Sequence, residues 1–205
     1  MAGVFIKYFG ALLLVVGVVC INGDGTEISE TDLEMLDSHN YLLKSIYNEA
    51  VKLSIYVLRR SGELCKKMDN EDILIYKNIA SEKSKKSVES VTHETILRNC
   101  INRVEDRFDP TASRDNVYGP DESLLLKYGL EDIQKVVEQK YETFFEEILQ
   151  QIKEYLKGLT PEQQRNTTAR NLKGWSSKIK AASTLARKAM TFRSFMRYYF
   201  LQESV

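Results

Sequence analysis

Between Leu130 and Leu156 apolar residues return at steps of three and four: Leu130, Ile133, Val137, Tyr141, Phe144, Ile148, Ile152 and Tyr155. That spacing places them on one side of an α-helix of about seven turns. Glu138, Lys140, Glu142, Glu147 and Lys153 fall between them and suit the watered side. A stripe of this length is stable only when other helices cover it. The expected fold is therefore all-α, an antiparallel bundle of four main helices with one or two short extra helices.

The remaining stripes supply the cover. A first helix is expected from Ser29 or Thr31 to about Lys67, with its apolar face through Leu33, Leu36, Leu43, Tyr47, Ala50, Leu53 or Ser54, Val57 and Leu58. Asp37-Ser38-His39-Asn40 interrupts that pattern, and Asp69-Asn70 supplies a turn after it. A short helix over 71–80 and a longer one over 86–107 follow, the second carrying Val88, Val91, Ile96 or Leu97, Cys100, Ile101 and Val104. Pro110, Asp115-Asn116 and Gly119-Pro120 mark the main loop, and Leu124–Tyr128 is a short lead-in broken by Gly129. Gly158 stops the central helix, and Thr160-Pro161-Glu162-Gln163 reads as a capping box opening one last helix. That helix would bury Leu172, Trp175, Ile179, Ala182, Ala186 and Ala189.

The first residues read as an address. Lys7 precedes the apolar run Phe9–Ile21, and Asn22-Gly23-Asp24-Gly25 ends it, the order found in a secretory signal peptide. The run falls short of the about 20 residues that a membrane span needs, so an uncleaved anchor is the weaker alternative. We expect residues 1–23 to be a signal peptide and 24–205 one secreted helical domain. The mature chain would hold about 180 residues, an ordinary size for a single core. Loss of Lys7 takes the balance from 29 basic and 29 acidic residues to 28 and 29, so net charge selects no partner.

Cys20 belongs to the signal, which leaves Cys65 and Cys100 as an even pair in an oxidising setting. A disulfide between them is expected, with two packed thiols as the alternative. Closing a loop of about 35 residues contributes on the order of 4 kcal/mol in the chain-entropy description. The bridge also requires the chain to fold back, with the reversal expected around Ser81–Ser87, because bridged Cα atoms lie within about 7 Å.

Charge distribution offers the best functional lead. From Gln164 onward there are nine basic residues and one acid, Glu203. In one unbroken helix Lys173, Lys180 and Arg187 recur every seven residues, with Arg170 and Lys188 beside them. Such a row attracts an extracellular protein with an acidic face or an anionic polysaccharide; a solvated face balanced by the acidic helix at 131–154 is the bland alternative. Arg193 and Arg197 would then project onto the apolar arc, which implies a partner carboxylate or a bend near Thr191. Aromatic residues at helical spacing, including Tyr47, Phe144, Phe145, Trp175, Phe192, Phe195 and Tyr199, could alternatively frame a pocket for a small apolar ligand or lipid.

Catalytic signatures are not found. His39 and His93 are the two near-neutral bases, and neither lies in a hydrolase, zinc-protease, phosphate-loop or calcium-loop motif. His39 is expected at the surface. No cofactor, metal or specific nucleic-acid motif is expected, nor a stable membrane span after signal cleavage. Asn166-Thr167-Thr168 meets the N-glycosylation rule, within the first turns of the last helix.

A leader, one cysteine pair and helical patterning throughout make a layout that resembles small secreted all-helical insect proteins of salivary or haemolymph type. The resemblance implies a secreted helical protein and assigns no residue a role. The functional expectation is a secreted, non-enzymatic binding protein that engages an extracellular macromolecule through its basic C-terminal helix.

Overall fold

The computed structural model describes residues 30–84, 93–112 and 120–200. The segment expected to be a signal peptide, Ser29, Val88, Val91 and residues 113–119 of the main loop lie outside them. The fold is an all-α bundle, with six α-helices and no strand among the described residues. They are α1 Glu30–Ser84, α2 His93–Phe108, α3 Pro120–Lys127, α4 Leu130–Gly158, α5 Thr167–Ala181 and α6 Leu185–Phe200, with a 3-10 turn at Gln163–Arg165. Two compact units can be distinguished, one from Leu53–Lys140 and one from residues 30–52 and 141–200.

Two boundaries differ from the sequence reading. Helix α1 runs through Asp69-Asn70 without a turn and includes the short helix expected at 71–80. Its inward stripe continues through Leu64 and Cys65 to Met68, just past Lys67. Of the helix expected over 86–107, the described part is His93–Phe108, α2. The last helix is two helices, parted at Ala182-Ser183-Thr184.

Ahead of Ala50 the buried face of α1 is offset by one residue from the expected one, while Ala50 and Val57 are buried as expected. Met35, His39, Leu42, Ile46, Ala50, Val57, Ser61, Leu64 and Met68 point inward, whereas Leu36 is 50% and Leu58 41% exposed. His39 and Ser61 explain the error. They are polar members of the inward row, and removing them from the count shifts the apparent stripe to its neighbour.

In the Leu53–Lys140 unit, Cys65 and Cys100 form the expected disulfide, with Cα atoms 5.9 Å apart. It ties α1 to α2 among Leu64, Met68, Ile96 and Val104. The Arg107 guanidinium donates to the Glu122 carboxylate at 2.7 Å and joins α2 to α3. His93 Nε2 lies 3.2 Å from Asp69 Oδ2, a second tie between α2 and α1. Gly129 has φ +93° between α3 and α4, a left-handed conformation that glycine adopts without a Cβ clash.

The other unit is built largely of rings. Phe144 and Phe145 of α4 meet Phe192 of α6 at centroid distances of 5.0 and 6.1 Å. Phe192 stacks on Phe195, which meets Tyr199 at 4.8 Å. Tyr47 of α1 meets Phe200 at 5.6 Å. The stripe that opened the sequence reading supplies Phe144, Ile148 and Ile152 to this core, all buried.

Candidate functional site

The basic segment is organised as a helical hairpin, and its local chemistry shows why. The capping box forms as expected: the Thr160 N–H donates to Gln163 Oε1 at 2.9 Å, and the Gln163 N–H donates to Thr160 Oγ1 at 3.3 Å. It opens only the 3-10 turn. Helix α5 begins afterwards, with Asn166 as its cap; Asn166 Oδ1 accepts from the Thr168 N–H at 3.0 Å. The sequon asparagine thus sits before the helix instead of within its first turns. Ala182 then takes an extended conformation, and Thr184 Oγ1 accepts from the Arg187 N–H at 3.2 Å to start α6. Hydroxyl residues that satisfy backbone groups locally compete with a continuing helix.

The two helices then pack side by side. Asn171 Nδ2 donates to the Tyr198 hydroxyl at 2.8 Å. Trp175 meets Phe195 and Tyr198 at centroid distances of 6.1 and 6.0 Å. These pairings run in opposite chain directions, so α5 and α6 are antiparallel. Leu172 and Ile179 bury one side of α5 while Ala189, Phe192, Phe195 and Met196 bury one side of α6.

This hairpin rearranges the expected cation row. Arg170, Lys173 and Lys180 are exposed along α5, and Lys173 and Lys180 keep their seven-residue spacing. Arg187 is exposed on α6, beyond the break, and so does not continue their row. Lys188 is only half-exposed and donates to the Glu142 carboxylate of α4. Arg197 is exposed, because the break resets the phase that had put it on the apolar arc. The register set by Asn171 and Tyr198 brings Arg197 level with Lys173 across the hairpin. The missed signal was Ser183-Thr184, a capping pair in the middle of an otherwise uninterrupted pattern.

Residues 167–200 contain eight cations (Arg170, Lys173, Lys178, Lys180, Arg187, Lys188, Arg193 and Arg197) and no acid. Among the described residues no carboxylate pairs with Arg170, Lys173, Lys180, Arg187 or Arg197. Lys178 lies over the Trp175 ring, 4.6 Å from its centroid, a cation–π contact. Met190 is 58% exposed on the outer side of α6, one turn from Arg187. The surface can therefore attract negative charge and offers an aromatic and an apolar side chain beside it.

The other sequence candidates are placed elsewhere. Cys65 and Cys100 are both buried and oxidised. His93 is exposed beside Asp69. His39 is buried, contrary to expectation, and burial lowers its pKa. No group of three His, Cys, Asp or Glu residues that could hold a metal occurs among the described residues. No helix there is long and apolar enough to cross a membrane. Compared with protein-family models, curated proteins and solved structures, the chain matches none, so its functional reading rests on this geometry.

Proposed function

We propose that this is a secreted, non-enzymatic binding protein whose α5–α6 hairpin engages an anionic extracellular macromolecule, a protein with an acidic face or a polysaccharide. One observation carries the reading: 34 consecutive residues, 167–200, present eight cations without an acid among them, and five of these have no carboxylate partner among the described residues. Unpaired cations on one surface sum to a field that draws in a polyanion, and the field weakens as salt screens it. A disulfide suits an oxidising compartment. Asn166 is exposed, and its cap uses Oδ1, which leaves Nδ2, the atom that carries an N-linked glycan, outside that hydrogen bond.

Chromatography of the secreted full-length chain on immobilised heparin tests the reading. Retention that falls steeply with salt is expected, and replacing Arg170, Lys173, Lys180 and Arg187 together by Gln should shift elution to lower salt. Lys188→Gln should shift it less than Arg187→Gln, because Lys188 is already held by Glu142. Passage straight through at low salt, together with no capture of an acidic protein from the fluid into which the chain is secreted, would end this proposal.

A further inference from the structure

His39 interrupts an otherwise apolar inward row on α1, between Met35 on one side and Leu42 and Ile46 on the other. It is 9% exposed. Its ring centre lies 6.1 Å from that of Tyr155 on α4 and 5.8 Å from that of Tyr199 on α6. Gln151 is one turn before Tyr155 on the same helix. Three polar atoms of this cluster, His39 Nε2, Tyr155 Oη and Tyr199 Oη, are shut off from solvent and make no hydrogen bond of normal length within the protein, and the same holds for Gln151 Oε1 on α4. Ser38 lies near the Tyr155 hydroxyl; its own proton goes to the Met35 carbonyl at 3.0 Å, so toward Tyr155 it can only accept.

Such a cluster is costly as plain core. Each buried polar group without a partner costs about 1–3 kcal/mol, and phenylalanine at 155 and 199 would fill the same space without that cost. The polar groups of His39, Tyr155 and Tyr199, on three helices, collect at one place where the protein offers them no hydrogen bond of normal length. That arrangement fits a binding site for a molecule that brings the missing partners.

The surroundings specify its chemistry. No Asp, Glu, Lys or Arg is buried in this unit among the described residues; the buried carboxylates Glu105 and Glu122 belong to the other. A charged head would lose its water here with no opposite charge in return. Phenol hydroxyls donate and accept, and a neutral imidazole nitrogen does one or the other. An uncharged hydroxyl matches that set. Leu42, Ile46, Ile152 and Phe195, all buried, would surround an alkyl chain.

We propose that this unit binds an alcohol-headed apolar molecule, its hydroxyl held by His39, Tyr155 and Tyr199 and its chain among the neighbouring apolar side chains. The site is separate from the basic surface of the α5–α6 hairpin, and it gives the small-ligand alternative from the sequence a definite head group.

Trp175 is the only tryptophan and reaches the site through Phe195, which contacts both it and Tyr199. Titration of the full chain with 1-decanol, read by Trp175 fluorescence, should saturate. Decanoate at pH 7.5 should bind at least tenfold more weakly. The double variant Tyr155→Phe/Tyr199→Phe, which removes two hydroxyls and keeps both rings, should lose at least tenfold in decanol affinity while its circular dichroism stays helical. His39→Gln serves as a second variant that keeps hydrogen-bonding capacity, with a smaller loss expected. If buried water alone serves these atoms, decanol will leave the fluorescence unchanged to its solubility limit, or bind wild type and double variant alike. Either result overturns the proposal, and so does equal affinity for decanoate. Heparin retention is unaffected by these outcomes, so the two proposals fail separately.

Discussion

The unit around α2 adds point ties between helices to its aliphatic core, whereas the unit around α6 joins its helices by rings packed on rings. In the first, a disulfide, the Arg107–Glu122 pair and the His93–Asp69 pair each tie one named residue to another. In the second, Phe144, Phe145, Phe192, Phe195 and Tyr199 form a continuous chain of contacts from α4 to α6. Point ties set register with few residues, and losing one leaves the others in place. A ring cluster distributes its energy over area, so one deletion leaves a void that several neighbours must line. The inward polar residues of α1 differ in the same way. Ser61 donates to its own Val57 carbonyl at 2.9 Å and is satisfied within the helix. His39 Nε2 has no such local partner.

The largest effect should come from the ring cluster. Phe145→Ala should cost about 3–5 kcal/mol in urea unfolding, with amide protection falling most in residues 141–200. Equal loss of protection in α2 would erase the contrast and show one cooperative block. Removing the disulfide with Cys65→Ala/Cys100→Ala should cost up to about 4 kcal/mol, the loop entropy released to the unfolded chain. Here the loss of protection should concentrate in α2 and in α1 near Cys65.

Acidification should separate the units by sign. Burial lowers the pKa of His39 below the ordinary histidine value of 6.5, so its contribution is present above pH 6.5 and is lost as pH falls through the folded value. Burial, and then the charge of Asp106, raise the pKa of Glu105 above the ordinary 4.5. Its contribution is present below pH 4.5 and is lost as pH rises through the folded value. Each slope is at most about 1.4 kcal/mol per pH unit for one proton. Stability differences between wild type and His39→Phe, and between wild type and Glu105→Gln, should therefore change in opposite senses across their windows. Parallel curves would show that neither group is held as described.

The smallest effect concerns the hairpin. Asn166→Ala should cost about 1 kcal/mol through the lost α5 cap, visible as a modest Tm shift of the unglycosylated chain. Asn166→Asp, which keeps the capping oxygen, should restore most of it.

Several elements could be read directly because their signals are local. The α4 stripe, the Gly158 stop and the Gly129 break each follow from a few adjacent residues, and the helices form as read. The capping box also forms as read, yet it opens a 3-10 turn, because Asn166 offers a competing cap three residues later. The phase of α1 was misread where His39 and Ser61 face inward. A polar residue announces burial only through its neighbours in space, which a single chain does not display. The candidate cations were all identifiable, but the break at 182–184 decided which share a surface. Lys188 was drawn to Glu142, 46 residues away, and no local pattern encodes that.

Residue order alone determined that the chain is helical, where apolar stripes lie, which two cysteines can pair and where positive charge accumulates. These follow from periodicity, compartment chemistry and composition, each of which acts over a few residues or over the whole chain. Tertiary packing decided the rotation of α1, the reversal between α5 and α6, and the meeting of His39 with Tyr155 and Tyr199. Those outcomes depend on how distant side chains compete for the same space and the same hydrogen bonds, and that competition is settled only when the helices come together.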